Sequence, residues 1–386
     1  MLHFEVTKKS GKARRGLLKT AHGDIETPVF MPVGTDGTVK AMRPEDVAST
    51  GAKIILGNVY HLMLQPGIDL VEEMGGLHKF MNWDKAILTD SGGFQVMSLG
   101  PLREIDEHGV KFRSHLDNNT IYDLTPEKSI EIQHKLDSNI TMTLDECLEL
   151  PAPKEVIEKS MLMSVRWAER SYKTFIDRPG YGIFGILQGG DDWTLREECC
   201  RLMSDIPFDG YALGGVWLNV LFETIDFTTP FIQENKPRYL MGIGIPADIV
   251  GAVLHGIDMF DCVLPSRYGR TAQAFLKHGG TLNLRKGSMK DDPRPIEEGC
   301  PCPACTKYSR AFIHSLFKEN EILAAMLLTW HNIQMYQDLM KNIRQAIDNG
   351  TYEDFATEFF AGFERNSPAE YAKFKSPNRT IILKKS

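Results

Sequence analysis

No apolar run in this chain approaches the length of a membrane span; the longest, such as ILAAMLLTW, is about half of the ~20 residues a spanning helix needs. The opening stretch MLHFEVTKKSGKARRG carries charges but lacks the apolar core of a signal peptide. Positive charge is not in excess: 44 Lys and Arg stand against 51 Asp and Glu, a formal net charge of -7. That excludes a uniformly basic nucleic-acid coat, though not a basic patch on an acidic body. The seven cysteines are odd in number and three fall within six residues, which is no disulfide framework. Internal repeats and low-complexity segments are missing. Histidines do not gather where apolar runs end; only His61 stands near one, which argues against a generic metal-dependent hydrolase. What remains is a soluble, cytoplasmic protein of a reducing compartment. Its 386 residues suffice for one barrel-sized domain or two smaller ones.

Eight short apolar runs recur along the chain: VFMPVGT (29–35), KIILGN (53–58), AILTDSG (86–92), NITMTLDE (139–146), YGIFGILQGG (181–190), GYALGGV (210–216), RYLMGIG (238–244) and MFDCVLPS (259–266). They are continuous rather than alternating, as strands covered on both faces are. Helix-like segments separate them; TPEKSIEIQHKL opens with Thr125 as a candidate N-cap and Pro126 in the first turn. Eight such units predict an α/β fold of the (β/α)8 TIM-barrel type. Polar residues collect at the C-terminal ends of the runs, among them Asn58, Asp90, Asp145, Gln188 and Asp261, and in such barrels that end carries the active site. The segment LREIDEHGVKFRSHLDNNTIYDL (102–124) predicts a hairpin or small sheet with Asp-Asn-Asn at its turn.

In KAILTDSGGFQVM, a strand ends on Asp90 and two glycines follow before Phe94, so backbone is brought close to something flat beside an acid. Asp261 ends another run. Two carboxylates across a barrel mouth suit double displacement at an anomeric carbon, with one attacking and the other managing protons; spacing alone does not separate this from a glycosidase. Beyond Asp261, Arg267 and Arg270 flank Tyr268 in what reads as a glycine-containing loop. Guanidiniums fork onto phosphates and base edges, tyrosine stacks on bases, and the same arginines are expected to keep Asp261 ionised. CPCPAC supplies Cys300, Cys302 and Cys305, three thiolates able to wrap one ion; a structural zinc needs a fourth ligand, for which His314 and His331 are the available imidazoles.

In order along the chain, FMPVGT, GNVYHLMLQPG, LTDSGGFQVMSL, GVKFRSHLD, SIEIQH, DEC, LQGG, FDGYALGG, YLMGIG, GIDMFDCVLPSR, CPCPAC and TWHNI make the sequence resemble the bacterial-type tRNA-guanine transglycosylases, over nearly its whole length. The resemblance implies a barrel with a zinc-binding subdomain. It also implies an activity: exchange of the wobble guanine of tRNA for 7-aminomethyl-7-deazaguanine, on the path to queuosine. By the same resemblance Asp261 is the nucleophile and Asp90 the acid/base carboxylate. Asp90, Ser91, Gly92, Gly93, Phe94, Asp145, Gln188, Gly214, Gly215 and Met241 surround the base. Two segments contact tRNA: Gly242, Ile243, Gly244, Ile245, Pro246, Ala247 and Asp248, then Ser266, Arg267, Tyr268, Gly269 and Arg270. Cys300, Cys302, Cys305 and His331 hold one structural zinc per chain, and the molecule is a homodimer away from membranes.

The implied layout is a barrel at 1–290 with a small insert at about 102–124, a zinc-binding helical subdomain at 291–350, and a C-terminal helix with a basic tail at 351–386. Besides a smaller departure at GRTAQAF, where the family often has GRNGQAF, one important place departs from the family pattern. After YALGG the family continues LAVGE, whereas this chain reads VWLNVLFETIDFTTP: the loop is about four residues shorter, Trp217 replaces a small residue and the glutamate is absent. In the family this loop borders the 7-substituent of the incoming base. The departure leaves two alternatives, a non-catalytic accessory paralogue and an active enzyme with altered base specificity.

Overall fold

The computed structural model describes residues 2–97, 103–114, 120–216 and 218–376. The chain opens with an antiparallel sheet, β1 (His3–Ser10), β2 (Ala13–Thr20) and β3 (Gly23–Thr27). This sheet was not foreseen, because its charged, two-sided sequence carries little apolar signal. Then come β4 (Val29–Gly34), β5 (Ile54–Gly57) and β6 (Ala86–Thr89). A three-stranded sheet of β7 (Arg103–Ile105), β8 (Val110–Arg113) and β9 (Ile121–Leu124) interrupts the barrel sequence. It occupies the predicted insert, whose Asp-Asn-Asn turn lies outside the described residues. After it follow β10 (Ile140–Met142), β11 (Gly182–Leu187), β12 (Gly210–Leu213), β13 (Arg238–Leu240) and β14 (Met259–Cys262).

Strands β4, β5, β6 and β10 to β14 pair in parallel, and β10–β6 and β14–β4 contacts close them into the predicted eight-stranded barrel. All eight strands fall within the eight apolar runs. Every residue of these strands is buried apart from Arg238, as expected where helices cover the outside and side chains fill the inside. Inside, Met31, Ile54, Leu88, Met142, Phe184, Ala212 and Met259 form one apolar cluster with Leu2, Phe4, Leu18 and Ile25 of the N-terminal sheet, which therefore stoppers the end where the strands begin. A buried ion pair anchors it: the Arg14 guanidinium reaches the Asp258 carboxylate at the start of β14. Removing either partner would strand a buried charge, at a cost of about 3–5 kcal/mol.

Beyond the barrel, β15 (Gln273–Phe275) and β16 (Thr281–Asn283) form a hairpin that packs with the cysteine segment, a helix at Arg310–Lys318 and the start of a 28-residue helix, Ile322–Asn349. That long helix then runs along the barrel. Its Gln337 side chain donates to Phe30 O (3.2 Å) and its Tyr336 hydroxyl donates to Gly244 O, so it grips strand β4 and the loop after β13. Among the described residues no helix is long and apolar enough to cross a membrane.

Candidate active site and metal centre

At the C-terminal end of the barrel lies a cavity of about 470 Å³, walled by Asp90, Ser91, Gly93, Phe94, Asp145, Gln188, Gly214, Gly215, Met241, Gly242 and Asp261 among others. Residues at or just beyond the ends of all eight barrel strands meet there, with Val33 and Asn58 completing the ring. Asp90 follows β6 directly, and its N–H continues the ladder to Gly57 O (3.1 Å). Its carboxylate accepts from Asn58 Nδ2 (2.5 Å), Gln95 Nε2 (2.9 Å) and Val59 N–H (2.8 Å). Burial nevertheless outweighs these three donors and pushes the group up to about 6, close to neutral pH. The glycine pair behind it has a steric reason: Gly92 sits at φ +87, and a Cβ on Gly93 would lie 2.5 Å from Asp145 O. Phe94 is half exposed at the rim and leaves a ring face open to the cavity.

Opposite, Gln188 Nε2 donates to Asp145 Oδ2 (2.6 Å). Burial pushes Asp145 up to about 6, with the charge of Asp90 adding to the shift. Gly214 and Gly215 let the next loop pass the same amide: a Cβ on either would lie 2.7 or 2.4 Å from the Gln188 carboxamide, and Gly215 has φ +57. Asp261, within β14, accepts from the Tyr239 hydroxyl (2.6 Å) and from Gly242 N–H (2.7 Å). Both bonds fall on Oδ1, so Oδ2 is the oxygen left to react. Burial raises this carboxyl as well, and the two donors oppose that shift. The expected partners of its charge were Arg267 and Arg270; neither bonds to it, and the tyrosine and the backbone amide take that place. Three buried carboxylates around a slot with an aromatic at its rim can accept hydrogen bonds from a flat heterocycle and exchange protons with it.

Arg267, Tyr268, Gly269 and Arg270 do not form a loop. They lie in a helix, Leu264–Arg270, with Pro265 in its first turn. Gly269 is small because the long helix crosses there: a Cβ would meet Thr329 Oγ1 at 2.4 Å. Tyr268 is stacked on Phe275 (centroids 4.9 Å apart, planes at 3°), so one ring face is already covered. Ser266 is buried, Arg267 half-buried and Arg270 exposed. In the other proposed tRNA segment Gly242 is exposed and Ile245 half-buried. Ile243, Gly244, Pro246, Ala247 and Asp248 are buried at the start of helix Pro246–Leu254, and their side chains have no surface to offer a nucleic acid.

Of the departed loop, Val216 and Leu218 line the cavity, while Trp217 lies outside the described residues. Asn58 was visible as a polar strand end without a role; Gln95, Tyr239 and the glycine-gripping Arg196 were not anticipated. Asn58 and Tyr239 bond to carboxylates 32 and 22 residues away, which local pattern does not reveal.

Below the hairpin β15–β16, Cys300, Cys302, Cys305 and His331 place one ligand atom each within 4.8 Å of one another. The three Sγ atoms stand 3.6, 3.8 and 3.3 Å from His331 Nδ1. A tetrahedral zinc with ordinary Zn–S and Zn–N bonds sets that edge at about 3.5 Å, so the donor set matches in chemistry and spacing. His331 Nε2 bonds to Phe275 O (2.8 Å), which orients the ring as second-shell partners of metal ligands do. His314 is not in the cluster; its Nδ1 bonds to Leu284 O (2.7 Å). A second group, His22, His78 and Asp137, also has ligand atoms within 4.8 Å. There the two imidazoles are stacked, 3.7 Å apart at 14°, so their in-plane lone pairs run parallel and do not converge on one ion.

The family model for queuine tRNA-ribosyltransferase matches residues 9–365. Curated relatives under that name agree with it. The chain is 53% identical to the one from Ruegeria pomeroyi over 363 residues, covering 93% of this chain and 96% of the relative. It is 54% identical to that of Cereibacter sphaeroides over 362 residues (93% and 96%) and 54% identical to that of Rickettsia bellii over 358 (92% and 99%).

Proposed function

Since the chain belongs to the queuine tRNA-ribosyltransferase family, and is thereby a tRNA-guanine transglycosylase, we propose that it exchanges the wobble guanine of tRNA for 7-aminomethyl-7-deazaguanine by double displacement. Asp261 Oδ2 attacks the ribose anomeric carbon and forms a glycosyl ester as the bond to guanine N9 breaks. Protonated Asp90 gives its proton to the departing purine. The incoming base then returns a proton to Asp90 while its N9 displaces the ester and frees the Asp261 carboxylate. Ionised Asp145 accepts from the purine N1–H and exocyclic amine, and Gln188 completes that edge. Gly215 N–H donates to the purine carbonyl, while Phe94 and Met241 cover its two faces. The observation that carries this reading is the hydrogen bonding of the two buried aspartates. Asp261 has both donors on one oxygen, which leaves the other to attack; Asp90 is pushed up to about 6, close enough to neutral pH to give and take a proton in turn.

Arg267, Arg270 and Gly242 are the proposed tRNA contacts, at the cavity's edge. The molecule works as a cytoplasmic homodimer in this reading, for which the exposed Phe312, Ile322 and Leu323 supply apolar surface. Zinc on Cys300, Cys302, Cys305 and His331 would be structural: four protein ligands leave it no open position. Its subdomain, at about 291–350, has an apolar cluster including Ile313, Phe317 and Leu328. Incorporation of radiolabelled guanine into unmodified tRNA, repeated with the deazaguanine, tests the proposal; failure with both bases defeats it.

A second reading is favoured by one observation. Val216 and Leu218 present apolar side chains where the family carries its glutamate-bearing loop, so the pocket disfavours a cationic 7-substituent while still admitting guanine. Kinetics decide: equal use of both bases removes this reading.

A further inference from the structure

Arg196 is fully buried, yet the transglycosylase chemistry above gives it no role. It stands in the first turn of helix Trp193–Ser204, behind the loops that follow β11 and β12. Among the described residues no carboxylate lies within ion-pair distance of it, so its hydrogen bonds go to carbonyl oxygens alone. Nε and Nη2 donate to Gly190 O (3.3 and 2.8 Å), and Nη2 also reaches Gly214 O and Gly215 O, both at 3.2 Å. Nη1 has no partner. The same helix approaches the β11 loop directly. A Cβ on Gly189 would lie 2.6 Å from Arg196 Cα, and Gln188 N–H donates to Cys199 Sγ (3.2 Å).

A buried cation with no ion pair, and only the more distant Asp191 as counter-charge, is costly, and its burial lowers its own proton affinity. Its position suggests what it does. The carbonyl of Gly214 and the N–H of Gly215 belong to one planar trans peptide, so they point in opposite directions. Arg196 holds the oxygen on the helix side; the N–H on the other side then faces the cavity that Gly215 lines. Among the described residues that N–H makes no hydrogen bond of its own. A guanidinium on the carbonyl also polarises the peptide and makes its N–H a better donor. We infer that Arg196 is a positioning residue for the purine pocket, aiming and polarising the Gly215 N–H that receives the base carbonyl. The inference rests on the base-exchange reading and adds to it the group that sets the donor.

The test uses the full-length enzyme with Arg196→Lys, which keeps the charge but loses the fork, and Arg196→Gln, which keeps a donor but loses the charge. Guanine exchange is measured at saturating tRNA, tRNA use at saturating guanine, and inhibition by 6-thioguanine, which changes only the acceptor at position 6. Both variants should raise KM for guanine about tenfold, equivalent to about 1.4 kcal/mol. KM for tRNA should stay within about twofold, since one lost hydrogen bond acts only on the base. The preference for guanine over 6-thioguanine should shrink in both. A residue that merely held the fold together would lower the thermal midpoint and the active fraction but leave KM and that preference in place, and this outcome overturns the inference. Wild-type enzyme that takes no guanine overturns instead the base-exchange reading beneath it.

Discussion

Replacing Tyr239 with phenylalanine takes one oxygen from a fully buried side chain and keeps its ring. The lost hydroxyl is one of two donors to Asp261 Oδ1, at 2.6 Å; Gly242 N–H, at 2.7 Å, remains. Hydrogen bonds to a charged acceptor contribute about 1.5–3 kcal/mol. At 1.4 kcal/mol per decade that is about a ten- to hundredfold change in the balance between ionised and neutral Asp261. Burial already raises the Asp261 carboxyl and Tyr239 opposes that shift, so its loss favours the neutral acid further. Only the ionised form attacks. The acid limb of kcat for guanine exchange should therefore move to higher pH, with most of the loss on that side. At high pH, where Asp261 is ionised in both proteins, the variant should recover most of its rate, because a carboxylate with fewer donors is the better nucleophile. The assay is radiolabelled guanine exchange at saturating substrates across the neutral range, with the thermal midpoint as a folding control. An acid limb that stays in place in a folded variant refutes the role given to Tyr239.

Three further outcomes are expected. Asp145 is pushed up to about 6 by burial and must be ionised to accept from the purine, so KM for guanine should rise as pH falls through 6 and should lose that dependence in Asp145→Asn; a flat KM in the wild type contradicts this. Cys302→Ser should release about one zinc per chain and unfold the hairpin region, since metal binding is coupled to folding. Asn332 follows the ligand His331 and bonds to Pro265 O, Gln273 O and Phe275 N–H, so tRNA use should fail with it; metal-free protein of native stability and full activity refutes the structural role. Arg267→Ala or Arg270→Ala should raise KM for tRNA and flatten its salt dependence while sparing KM for guanine; equal loss of both would mean that the helix shapes the purine pocket.

The barrel was legible because strands buried on both faces must be apolar throughout and stop at polar residues; all eight runs obey this. His331 and His314 could not be separated by spacing, since the choice depends on how the helices Arg310–Lys318 and Ile322–Asn349 fold back on the hairpin. The helix at Leu264–Arg270 was misread as a loop because Gly269 was taken as a turn signal. Its Cβ-free face serves a close helix crossing instead, while Pro265 marks the helix start. Tyr239, and the role of Asn58, escaped because a hydrogen bond between neighbouring barrel strands leaves no local periodicity; Gln95 and Arg196 stand on the helices after β6 and β11, where no sequence pattern marks a residue that turns back to a strand-end loop. Asp90, Asp145, Gln188 and Asp261, in contrast, each stand where an apolar run meets the active end of the barrel.

The central claim is that Asp261 carries the ribose. Enzyme mixed with unmodified tRNA and no incoming base, then denatured and weighed by mass spectrometry, should show a protein–tRNA adduct in the wild type and none in Asp261→Asn, with exchange abolished alongside. A denaturant-resistant adduct formed by Asp261→Asn would place the nucleophile elsewhere.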